Sequence, residues 1–141
     1  MASHYDIKLE KYCQVLNIEV ETMLEMINKD ILPAVFKYMN AISDTVIKVK
    51  QAFPEAECSA EKILLQKLDS HVNNLSKKAD EIWIKHNEAN KLTNIMECAK
   101  AYANEILPAM EEARYFADEM EPLLGEEYKP FPSYEDLLFR I

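Results

Sequence analysis

The sequence predicts an all-α fold: an up-down-up three-helix bundle with a long first helix kinked near Pro33, followed by an extended proline-rich C-terminal strap that ends in a short helix. Three observations carry this expectation. Apolar residues recur at spacings of three and four through three long stretches, the pattern of helices that each bury one face. Glycine occurs once in 141 residues, at Gly125, where average usage gives about ten. Hydrophobic residues make up 49% and charged residues 29%, too apolar for a disordered chain and too charged for a membrane-embedded one. Residues 1–141 are therefore expected to form a single helical domain.

The first helix is predicted over residues 4–52. Its seam is Tyr12, Leu16, Val20, Met23, Ile27, Ile31, Ala34, Tyr38, Ile42, Val46 and Val49, a mean step close to the helical period. Ser3 can cap its start and Pro54 marks its end. Pro33 lies inside the pattern, where a missing N–H and a ring clash cost roughly 3 kcal/mol unless the helix kinks. A bend near Asp30–Pro33 is expected, not a stop. The second helix, over residues 59–87, presents Leu65, Leu68, Val72, Leu75, Ala79, Ile82 and His86 as a heptad seam. The third, over residues 91–124, presents Leu92, Met96, Ala99, Ala103, Ile106, Met110, Ala113, Ala117, Met120 and Leu124, with Gly125 placed as a helix-terminating glycine. Residues 125–141 form the strap. Pro130 and Pro132 enforce an extended path, and Phe131, Tyr134, Leu137 and Phe139 supply aromatic and apolar contacts that should pin it to a surface. One internal echo links two helices: Asp30-Ile31-Leu32-Pro33-Ala34-Val35 and Glu105-Ile106-Leu107-Pro108-Ala109-Met110, read as two helices bending over one core.

The same residues exclude most chemistry. Phosphate-cradling loops, dinucleotide fingerprints and nucleophile elbows need glycines that the chain lacks. Net charge is −9, concentrated as −6 over residues 91–141, which disfavours nucleic acid and anionic membrane as partners. Cys13, Cys58 and Cys98 form no close pairs and read as small buried hydrophobes in a reducing cytosol. No leader and no membrane-length apolar run is apparent, so the expected location is cytoplasmic. None of the histidines has a glutamate three residues before it, which removes a di-iron bundle, and none lie four apart, which removes a zinc protease. His86 falls on a seam as a bundle-end residue with a satisfied ring, and His71 is expected at the surface. The carboxylates of the last third read as a solvated face. The expected catalytic, cofactor and metal sites in this chain are none.

Two stretches resemble the C-terminal region of type III glutamine synthetases. The first is Glu19-Val20-Glu21-Thr22-Met23-Leu24-Glu25-Met26 followed by Asp30-Ile31-Leu32-Pro33-Ala34-Val35 and Tyr38. The second is Ile106-Leu107-Pro108-Ala109-Met110, then Arg114, Ala117-Asp118 and Glu121, then Pro130-Phe131-Pro132-Ser133-Tyr134 and Leu137-Leu138-Phe139. The family often places Trp directly before the first tail proline, where this chain has Lys129. The resemblance implies a C-terminal structural or oligomerisation domain of a large dodecameric enzyme that joins ammonia to glutamate using ATP and Mg or Mn ions. Those ligands are implied for the preceding catalytic region, so the isolated chain is expected to be inactive. The alternative is an independent helical adaptor or dimerisation module.

Helix lengths then suggest a docking face. Residues 4–52 span roughly 75 Å, while a second helix of about 29 residues spans only about 43 Å. The segment from Tyr5 to Met23 is expected to project beyond the hairpin as the docking face, with Tyr5, Leu9, Tyr12, Cys13, Val15, Leu16, Ile18 and Val20 giving it more apolar surface than a lone exposed helix normally presents. The implied partners are the catalytic domain of the same enzyme and, for the isolated domain, a second copy.

Overall fold

In a computed structural model, which describes residues 4–129, the first helix is continuous and has three parts. These are α1 (His4–Met26), a π-helical turn over Ile27–Ile31, and α2 (Leu32–Ala52). The π turn answers the problem set by Pro33. In a regular helix its ring would meet the carbonyl four residues back, at Lys29. Here the Leu32 N–H donates to the Ile27 carbonyl, five residues back, and the wider turn lodges the proline at the start of α2 without ending the helix. Phe53 closes α2 in an extended conformation, its N–H donating to the Val49 carbonyl at 2.9 Å.

The chain reverses through residues 53–58. Cys58 adopts a left-handed conformation (φ 50°, ψ 38°), which L side chains rarely do, and α3 (Ser59–Asn90) begins directly after it. That helix runs three residues past the predicted end. The third helix starts later than predicted, because Asn94 caps it: its side chain accepts the Glu97 N–H at 3.0 Å. Leu92, expected on the buried seam, lies exposed in the connection. From there the helix is α4 (Ile95–Ala101), a second π turn (Tyr102–Ile106), and α5 (Leu107–Met120).

Both halves of the sequence echo therefore mark the same device, a π turn set directly before Leu-Pro. The second also corrects the predicted seam. One extra residue in the turn shifts the helical phase, so Tyr102 is fully buried and Ala103, the expected seam residue, is exposed. The ending needs a correction too. Helix α5 stops at Met120 and passes into a 3-10 turn over Glu121–Leu123, and Gly125 is extended (φ −63°, ψ 146°), not a left-handed cap. An added Cβ there would stand 3.4 Å from the Tyr38 ring, so a small residue suits the close approach of that ring. A final 3-10 turn, Glu126–Tyr128, lays Tyr128 on Tyr38 with ring centroids 4.9 Å apart. The strap residues Pro130, Phe131, Pro132, Tyr134, Leu137 and Phe139, like Ser3, lie outside the described residues.

The helices pack as an all-α bundle with α3 against α2 on one side and α5 on the other, while α4 lies along α1. Val20, Ile27, Ile31 and Val35 of the first helix meet Leu68, Leu75 and Ile82 of the second and Tyr102, Ile106 and Met120 of the third. Each such aliphatic side chain contributes roughly 1.5–3 kcal/mol by leaving water. Fully buried Ala113 and Ala117 give α5 a flat face toward α3. At the rim of that contact Lys78 pairs with Glu81 and reaches across to Glu112.

Candidate functional site

The predicted docking residues divide between two environments. Leu16 is 6% exposed and Val20 is 0% exposed, both inside the chain's own core, so neither can meet a partner. Leu9 is half-buried, and Tyr5 and Tyr12 remain exposed. The tip of α1 does not project free, because of the connection after α3. The end of α3 lies beside Asn17, where Asn90 Nδ2 donates to Asn17 Oδ1 at 2.9 Å, nearer the tip of α1 than the expected end beside Leu24. The chain then continues outward, so that α4 begins near the tip of α1, with the Tyr5 hydroxyl 4.0 Å from Met96 Sδ. The third helix thus covers the face that the second is too short to reach. What stays open between them is a groove of about 370 Å³ edged by Tyr5, Leu9, Tyr12, Ala99 and Ala103.

The densest polar constellation lies where the three helices meet. His86 of α3 is buried, as its seam position implies. Its Nδ1 is 3.1 Å from the Tyr102 hydroxyl, and its Nε2 is 3.4 Å from Asn90 Nδ2 and 3.5 Å from Glu21 Oε1. The Tyr102 hydroxyl in turn faces Asn90 Oδ1 at 3.2 Å and Asn17 Oδ1 at 3.4 Å. One tautomer satisfies the set: Nδ1–H donates to Tyr102, the Tyr102 proton goes to an asparagine oxygen, and Asn90 donates to Nε2. Three elements of distant sequence position are tied together in this way. The second π turn is what points Tyr102 inward.

Electrostatics makes the cluster structural and not nucleophilic. Burial, reinforced by Cys98, Cys13 and Glu21, pushes the Tyr102 hydroxyl up to about 12, and the Asn90 hydrogen bond offsets only part of that. Burial beside Cys98 pushes the Cys13 thiol up to about 11. Near neutrality both groups keep their protons, so Tyr102 serves as a donor and Cys13 as a small apolar side chain. Cys13 and Cys98 are free and buried as expected, whereas Cys58 is half-buried. Sequence reading missed Asn17, Asn90 and Tyr102. Tyr102 was hidden by the phase shift of the π turn, and Asn17 by its place one step from the apolar seam.

Other candidates are quickly placed. His71, expected at the surface, is half-buried against Phe116, the ring centroids 6.5 Å apart. Of the carboxylates expected on a solvated face, Glu105, Glu111, Glu112, Glu119, Glu126 and Glu127 are exposed, whereas Asp118 and Glu121 are half-buried. Among the described residues no group of three potential ligands converges on a metal position, and no helix is long and apolar enough to cross a membrane.

These features define a class: an all-helical domain whose interior is organised for packing and register. Residues 1–50 match the family model of the glutamine synthetase C-terminal domain. Along 99% of its length the chain is 32% identical to a glutamine synthetase of Butyrivibrio fibrisolvens, and it is 27% identical to one of Bacteroides fragilis. It spans 20% of the length of each of these relatives. Together the matches support one assignment, a C-terminal domain of glutamine synthetase.

Proposed function

We propose that this chain is the C-terminal structural and oligomerisation domain of a type III glutamine synthetase, a cytoplasmic homo-oligomer. In this reading the ligation of ammonia to glutamate, with its ATP and Mg or Mn ions, belongs to the preceding catalytic region, which is also the domain's first partner. The observation that carries the reading is the end-to-end similarity to two glutamine synthetases, of which the chain spans only a fifth. A hydrophobic core closed by its own three helices suits a unit that supports assembly.

The test compares the full-length enzyme with a form lacking these 141 residues, by light scattering and by γ-glutamyl hydroxamate formation. Removal is expected to lower the assembled mass. The chain alone is expected to produce no hydroxamate above buffer. Unchanged assembly after removal, or turnover by the chain alone, overturns the reading.

A further inference from the structure

The α1 face that points away from the bundle carries exposed apolar residues between its charged ones. Ile7, Val15 and Ile18 are 53%, 46% and 62% exposed. At 3.6 residues per turn they share a strip roughly 100° wide with Lys8, Lys11, Thr22, Glu25 and Met26, opposite the buried seam of Leu16 and Val20. Lys8, Lys11, Thr22 and Glu25 are all exposed, and Met26 is half-buried at the strip's edge.

The order of residues along this strip is a mirror image of itself. Counting outward from the midpoint between Leu16 and Asn17, Val15 stands opposite Ile18, Lys11 opposite Thr22, Lys8 opposite Glu25, and Ile7 opposite Met26. Apolar residues occupy the inner positions, and each arm carries a charge that the other arm complements. An isologous contact has this requirement, because a two-fold axis brings each residue against its mirror position in a second copy.

We propose that the outer face of α1 docks antiparallel on the same face of a second copy of this chain, in the register that sets Val15 against Ile18 and Lys8 against Glu25. Each pair then forms twice. Glu25 now faces Lys29 at 3.4 Å, but that ion pair is largely exposed and holds Glu25 weakly. The strip from Ile7 to Met26 is about 28 Å long, enough for one helix-to-helix contact and smaller than a standard protein interface, so the dimer is reversible and concentration-dependent. The proposal rests on the strip itself and goes beyond the assignment to glutamine synthetase, whose test measures assembly and turnover of the full-length enzyme.

Sedimentation velocity of the chain over a concentration series up to about 1 mM tests it. The wild type is expected to pass from monomer to dimer. Ile18→Glu should remove the dimer with helicity unchanged, because the side chain makes no core contact. Lys8→Glu alone and Glu25→Lys alone should each weaken association about tenfold or more through like charges, and an equimolar mixture of the two should restore it as a heterodimer. A monomer at every concentration overturns the proposal, as does a dimer indifferent to Ile18→Glu. A mixture no tighter than its components overturns the register.

Discussion

Tyr102 holds the bundle together through one oxygen atom. Its hydroxyl meets groups from the other two helices, so Tyr102→Phe leaves His86 and the paired asparagines short of a partner. A cost of about 1–3 kcal/mol is expected in chemical denaturation. The raised pKa values of two buried groups make stability depend on pH in the alkaline range. Tyr102 is shifted upward from 10.0 to about 12 and Cys13 from 9.0 to about 11, so the folded chain keeps protons that the unfolded chain releases. Stability should be level up to about pH 9 and fall between pH 9 and 12, and Tyr102→Phe should flatten the part above pH 10. A denaturation series across that range checks both statements. Gly125 presents the opposite case: its backbone angles suit any residue and a Cβ meets Tyr38 at ordinary contact distance, so Gly125→Ala should be neutral or stabilising by about 0.5 kcal/mol. The chemistry of these residues was legible in the sequence only for His86. A seam position marks burial, but the partners of a buried ring come from other helices, whose relative heights no spacing rule supplies.

At the scale of elements, the two π turns are insertions made permanent by the prolines that follow them. Asn28 lies exposed inside the first turn, so deleting it would close the turn into a regular helix while keeping Leu24 and Val35 on the buried face. The ring of Pro33 would then clash with the preceding turn. The deletion alone is expected to cost about 3 kcal/mol, and combining it with Pro33→Ala should recover most of that loss in a double-mutant cycle. A deletion as costly with alanine as with proline would show that the turn serves some other purpose. The helices themselves were plain from periodicity, and the repeated Leu-Pro was visible as an echo. Its meaning was not, because a π turn changes the phase by a single residue, and Ala103 fits an unbroken helical period better than Tyr102 does.

For the whole molecule, the C-terminal strap and the bundle should melt as one. Tyr128 already lies on Tyr38, and Lys129 beside it is half-buried, so removing residues 126–141 should lower the melting temperature in a calorimetric scan. An unchanged scan would mean that the strap acts on something beyond this chain. The sequence predicted three helices and their directions, yet it left Leu16 and Val20 open where the bundle buries them. Lengths alone placed the tip of α1 in solvent, whereas the connection over residues 91–94 carries α4 down alongside it and leaves the opposite strip open. The position of Trp83 turns this architecture into an optical instrument. It is the chain's single tryptophan, half exposed, with its ring centroid 6.2 Å from that of His86. Ultraviolet emission of the unlabelled protein should therefore change as unfolding parts the two rings, reporting the state of the three-helix junction without a dye.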